Sequence, residues 1–83
     1  MNNYYIEANT DMLTRVFTRL ERTTGKRCIS LGTRMFPQQQ QVQLLFTIAG
    51  SRYMVAIPYE DCKCEDTIYN YVVRCYAEST LTW

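Results

Sequence analysis

The stretch Gln41-Val42-Gln43-Leu44-Leu45-Phe46-Thr47-Ile48-Ala49-Gly50-Ser51-Arg52-Tyr53-Met54-Val55-Ala56-Ile57-Pro58-Tyr59 decides the fold. From Gln41 to Ala49, Val42, Leu44, Phe46 and Ile48 alternate with Gln43, Leu45 and Thr47. From Arg52 to Tyr59, Tyr53, Val55, Ile57 and Tyr59 alternate with Met54, Ala56 and Pro58. Both runs carry the two-residue period of a strand with one buried face. Gly50-Ser51 between them suits a two-residue hairpin turn with glycine first. That turn sets an expected register of Ile48 opposite Tyr53, Phe46 opposite Val55, Leu44 opposite Ile57 and Val42 opposite Tyr59. Every apolar residue of the alternating sets then shares one face. The other face, with Gln43, Thr47, Arg52 and Met54, is mixed and open to solvent or a partner. Pro58 has no N–H to give to a ladder, which marks a sheet edge or a strand end.

Upstream, Asn9 or Thr10 can cap a helix with Asp11 in its first turn, along which Leu13, Val16, Phe17 and Leu20 recur at helical spacing until Gly25. Between that helix and the hairpin, Arg27 to Thr33 alternates, with Ile29 and Leu31 on one side and Cys28 and Ser30 on the other, and reads as a third strand. Downstream, Glu65 and Asp66 favour a helix start through the dipole, and Ile68, Val72 and Cys75 then form a face with Tyr69, Val73 and Tyr76 beside it. This helix is apolar on more than one side, as expected of one that touches two surfaces. Asn3–Glu7 and Thr80–Trp83 are rich in β-branched and aromatic residues and read as short edge strands. The expected architecture is an α+β fold of order (β)αβββα(β): a three- to five-stranded antiparallel sheet with two helices packed on one face.

A length of 83 residues with 47% hydrophobic and 20% charged side chains fits a single compact domain over residues 1–83, with too few breaks or biased stretches for a linker. The only biased run, Pro37-Gln38-Gln39-Gln40-Gln41, reads as a polar loop entering a strand. So small a core leaves room for a homodimer. No basic leader precedes an apolar run and no transmembrane-length segment occurs, so the expected location is the cytoplasm, with Cys28, Cys62, Cys64 and Cys75 as free thiols.

The chain has no histidine, which removes the commonest general base and metal ligand. There is no phosphate-cradling glycine loop and no Ser/His or Cys/His pairing. No enzyme activity, cofactor or metal site is therefore expected. Cys62-Lys63-Cys64 leaves one intervening residue where structural zinc takes two to four.

The net charge of +1 conceals a segregation. Met12 to Arg34 holds six basic residues and one acid, +5; Glu60 to Asp66 holds four acids and one lysine, −3; the rest sums to −1. Arg15, Arg19, Arg22 and Lys26 recur at spacings of four, three and four, one stripe of the first helix, and Arg27 follows its end. Such a stripe suits phosphates or an acidic protein surface, because the arginine fork makes paired hydrogen bonds; the plain alternative is a solvated helix face. Glu65 and Asp66 are explained by service to the helix dipole. Seven tyrosines suggest contact area, and Tyr69, Tyr71 and Tyr76 on the second helix are candidates beside the stripe.

The helix, three-strand, helix order over residues 10–77 resembles that of a double-stranded-RNA-binding domain. That family starts its second helix with basic contacts to phosphate. Here the segment is Cys64-Glu65-Asp66-Thr67-Ile68-Tyr69, which would repel phosphate, so the likeness stops at the order of elements. With the terminal pieces as strands the order is similar to a ferredoxin-like or RNA-recognition-motif fold, but Arg52-Tyr53-Met54-Val55-Ala56-Ile57 lacks that family's glycine and aromatics. No family is assigned. The resulting expectation is a small protein that binds stoichiometrically to a larger protein with an acidic patch, as an adaptor or inhibitor would. Virus-encoded inhibitors of host defence or nucleic-acid machinery share this profile. Direct nucleic-acid binding through the same stripe is the competing expectation, and no membrane is expected as a partner.

Overall fold

A computed structural model describes the backbone of residues 10–82 and the side-chain surroundings of residues 11–79. Helix α1 (Thr10–Thr24) is followed by strands β1 (Cys28–Phe36), β2 (Gln41–Ile48) and β3 (Ser51–Pro58), a short 3-10 turn (Tyr59–Asp61) and helix α2 (Glu65–Thr82). The three strands form one antiparallel sheet in the order β1-β2-β3, giving the α+β fold expected. The extended piece expected at Asn3–Glu7 lies outside the described residues. The one expected at Thr80–Trp83 is corrected: α2 runs on through Thr82, because no proline or glycine interrupts it after Glu65. Among the described residues no helix is long and apolar enough to cross a membrane.

The core follows the two periodicities. Val42, Leu44, Phe46 and Ile48 of β2 are fully buried, joined by Ile57 of β3, by Met12, Leu13, Val16, Phe17 and Leu20 of α1, and by Ile68 and Val72 of α2. Helix α1 packs over β1, α2 packs over β3, and the two touch each other, so α2 does meet two surfaces. The helices thus share one side of the sheet. Gly25, at a φ of 70°, ends α1 while its N–H reaches back to the Glu21 carbonyl at 2.8 Å. Cys62 is buried just after the 3-10 turn, its thiol 3.4 Å from the Pro58 carbonyl; nothing in the local pattern of residues marks it as a core position.

The hairpin register differs from the one expected. Ile48 pairs with Ser51, Phe46 with Tyr53, Leu44 with Val55 and Val42 with Ile57. The two-residue loop is Ala49-Gly50 and not Gly50-Ser51. Both loop residues have positive φ, 53° and 88°, the left-handed pair whose twist matches that of the strands it joins. Moving the turn back by one residue moves each partner by two, so the inward set is unchanged while the pairings change. The new register sets the ring of Phe46 nearly parallel to that of Tyr53, with centroids 5.5 Å apart. Tyr59 leaves the strand; its N–H bonds the Gln40 carbonyl at 2.9 Å.

Strand β1 is longer than the expected Arg27–Thr33 and carries a bulge between Ser30 and Gly32. Cys28 opposite Ile48 is on the helix side. Ile29, opposite Thr47, and Leu31, two residues on, remain exposed. Gly32 takes a φ of 135° at the bulge, where a side chain is strained, and the inserted residue brings Thr33 and Met35 opposite the inward Leu44 and Val42.

Alanine is poorly suited to the left-handed position at 49, where asparagine is favoured ahead of glycine. Ala49→Asn is expected to raise the unfolding free energy by about 1 kcal/mol, seen as a higher urea midpoint at unchanged slope. An unchanged or lower midpoint would contradict the assigned turn.

Candidate interaction surface

The arginine stripe of α1 divides in two. Arg15 donates from Nε to Glu65 at 2.7 Å, and Arg19 donates to Asp66 at 2.7 Å and to Glu65 at 3.3 Å. The Arg19 guanidinium also lies 4.0 Å from the centroid of the Tyr69 ring, and the Tyr69 hydroxyl is 2.7 Å from Thr23 Oγ1. Hydrogen bonds from Arg15 and Arg19 hold the Glu65 carboxyl below the ordinary range against some desolvation, and the bond to Asp66 leads in raising Arg19. The acidic start of α2, which sets this chain apart from double-stranded-RNA-binding domains, therefore grips the first half of the stripe.

The second half is different. Arg22, Lys26 and Arg27 are exposed and take part in no ion pair among the described residues. The candidate tyrosines are half-buried and tied inward. Tyr69 faces α1 as above. Tyr71 donates its hydroxyl to Asp61 at 2.7 Å, a bond to a carboxylate that raises its pKa, and Arg74 stands 5.8 Å from its ring. Tyr76 meets Tyr53 edge-on at 5.7 Å. The structure thus gathers Arg15, Arg19 and Tyr69 into one intramolecular cluster, leaves Arg22, Lys26 and Arg27 together at the far end of α1, and places Tyr71 and Tyr76 elsewhere on α2.

A further surface escapes the stripe-based reading. All eight Asp and Glu residues lie outside the span from Lys26 to Tyr59, which contains Lys26, Arg27, Arg34 and Arg52. The sheet is consequently free of carboxylates. The side facing away from the helices shows Ile29, Leu31 and Met54 at 45%, 52% and 55% exposure, large values for apolar side chains. The missing acids are visible in the sequence once charge is counted by strand and not along the helices alone.

The four cysteines are free and occupy four different settings. Cys28 and Cys75 are raised by burial, and Cys62 is pushed up to about 11 by burial and by Asp61. Cys64 is exposed at the start of α2, where the Thr67 backbone N–H leads in lowering its pKa. Among the described residues no group of three or more Cys, Asp or Glu is placed to hold a metal ion.

Compared with protein-family models, curated proteins and solved structures, the chain has no match.

Two outcomes test this geometry. Because the folded pKa of Glu65 is depressed below its ordinary 4.5, its contribution to stability is present above that value and is lost as the pH falls through the lower folded one. Urea midpoints measured down an acid series are expected to fall less steeply for Glu65→Gln than for wild type; identical slopes would show that the clamp is not felt. In native protein at about pH 8, iodoacetamide is expected to label Cys64 first and Cys62 only after unfolding. Peptide mapping of early Cys62 labelling would contradict its burial.

Proposed function

We propose that the protein is a small, non-catalytic interaction module of the cytoplasm that binds stoichiometrically to the acidic surface of a larger protein, as an adaptor or inhibitor does. The observation that supports this reading best is the distribution of unpaired cations. Arg22, Lys26, Arg27, Arg34 and Arg52 are exposed and in no ion pair among the described residues, while Arg15 and Arg19 are held by Glu65 and Asp66. Exposed arginines attract a carboxylate-bearing surface over several ångströms, speed encounter and fix orientation. Phosphate would be attracted to the same cations. It would also meet the acidic segment Glu60–Asp66, where Asp66 and Glu60 remain exposed, so a protein with localised acid suits the molecule better than a continuous polyanion.

The test is affinity purification with the full chain as bait, followed by the stoichiometry of any recovered complex. The expected result is one saturable partner bound one to one, with affinity falling as salt rises. Arg22→Glu, Lys26→Glu and Arg27→Glu are each expected to weaken it several-fold, about 1 kcal/mol. Arg15→Ala is expected to act less on binding and more on stability, since Arg15 is occupied internally. Recovery of the bait alone would overturn the reading, as would a mobility shift with RNA that persists when no protein partner is present.

A further inference from the structure

We propose that the outward face of the sheet is the docking surface, and that its occupant is a partner-protein segment with apolar residues at its centre and carboxylates at its rim. This rests on the proposed function and identifies the face that carries it.

The pairing places the outward residues in rows across the three strands. One row is Ile29, Thr47 and Arg52; the next is Gly32, Leu45 and Met54, with the bulged Leu31 beside Gly32; the third is Arg34, Gln43 and Ala56. Successive rows are about 7 Å apart along the strands, and a row spans roughly 10 Å across them. Leu31, Leu45 and Met54 thus make an apolar line in the middle. Arg52 stands one row to one side on β3, and Arg34 one row to the other side on β1. Both are exposed and in no ion pair among the described residues, and no carboxylate occurs on any strand.

Both helices lie on the opposite side, and no described element covers this one. Three large apolar side chains near half exposure are grouped here, and grouped exposed apolar residues rimmed by polar ones mark contact sites. The charge selects the occupant. Two guanidiniums in no ion pair among the described residues, flanking the apolar line on strands without a carboxylate, favour carboxylates on either side of an apolar stripe and disfavour a basic or purely apolar surface. A nucleic acid is a poorer fit, since the one aromatic residue the pairing places on this face, Phe36 in the fourth row with Gln41 and Pro58, is half-buried and stands at the end of the sheet, so no series of exposed rings is there for bases to stack on.

The test selects binders from a random-peptide phage library against the full chain and measures the enriched peptides individually. Enriched peptides are expected to combine Asp or Glu with Leu, Ile or Phe and to bind more weakly as salt rises. Leu31→Asp and Met54→Asp are each expected to weaken binding about tenfold or more. Arg34→Glu is expected to weaken it several-fold, and Asn70→Ala, an exposed change on α2, to leave it nearly unchanged. These positions are exposed, and circular dichroism with the urea midpoint shows that each variant folds. No enrichment, basic enriched peptides, or binders indifferent to the sheet variants would overturn the proposal. Tighter binding of a random single-stranded RNA pool, abolished by Met54→Asp, would assign the face to nucleic acid and overturn it. Sedimentation showing a dimer that Met54→Asp splits would assign it to a second copy. Nuclear Overhauser contacts from Tyr4, Tyr5 or Ile6 to Leu31 and Met54 in the free chain would assign it to the chain's own first residues. A one-to-one protein partner whose binding ignores Leu31→Asp and Met54→Asp would overturn this docking face while leaving the proposed function standing.

Discussion

Phe46 on the middle strand touches what the rest of the molecule is built around. Its ring is fully buried, 5.4 Å from Phe17 of α1 and 5.5 Å from Tyr53 of β3, and Tyr53 carries the contact on to Tyr76 of α2 at 5.7 Å. Four aromatic rings from four elements thus form a continuous line across the helix side of the sheet. Offset and edge-on ring contacts of this kind add to the large apolar area that each ring removes from water. With Val42, Leu44 and Ile48 in the same row of β2, they draw both helices to one side. Two consequences follow: the start of α2 lies beside α1, and the opposite side of the sheet is left without a covering element among the described residues.

The first consequence organises the charge. Contacts between the helices advance in the same direction along both, from Arg15 with Glu65, to Arg19 with Asp66, to Thr23 with Tyr69. Exposed ion pairs of this type contribute little individually. Three of them share two arginines and two carboxylates, with a ring stacked below one arginine, and together they join the start of α2 to the middle of α1. The arrangement also consumes cations that would otherwise attract ligands. Of the exposed cations in no ion pair among the described residues, Arg22, Lys26, Arg27, Arg34 and Arg52 lie at the end of α1 and on the sheet, and Arg74 stands on α2 beside Tyr71.

Much of this was legible in the residues. The alternation from Val42 to Ile48 and from Tyr53 to Ile57 identifies the inward face, because a period of two admits only two faces and one of them is apolar. The same alternation cannot choose between registers two residues apart, which bury the same set. That choice fell to the backbone at Ala49, a residue with no side-chain preference for positive φ, so the glycine was the only visible turn signal and it fits either position. The stripe of Arg15, Arg19, Arg22 and Lys26 was legible as well, since helical spacing alone defines it. Its partition was not. Glu65 is fifty positions beyond Arg15, and only the packing of both helices around Phe46 brings them to 2.7 Å. The bulge at Leu31 hid for a similar reason: one inserted residue changes which side Thr33 and Met35 face, and glycine at position 32 is its sole trace.

The edges of the sheet direct attention to its outer face. An open strand edge offers unpaired backbone groups to any passing strand, and stable proteins blunt them. On β1 the Cys28 N–H is taken by Glu21 Oε2 at 3.0 Å, and the bulge disrupts the ladder two residues later. On β3 the Met54 carbonyl accepts from the Cys75 thiol of α2 at 3.5 Å, and the strand ends at Pro58, which has no N–H to offer. Each edge is therefore occupied at its middle or near its start by a side chain from the neighbouring helix and interrupted by a bulge or a proline. A partner that adds a strand would have to displace these groups. The broad side bearing Leu31, Leu45 and Met54 presents no such obstacle among the described residues: its strands are paired with one another, and a partner laid on it would meet side chains only. In the proposed docking mode, recognition would depend on apolar fit and on the two flanking arginines, and would leave both edges of the sheet as they are.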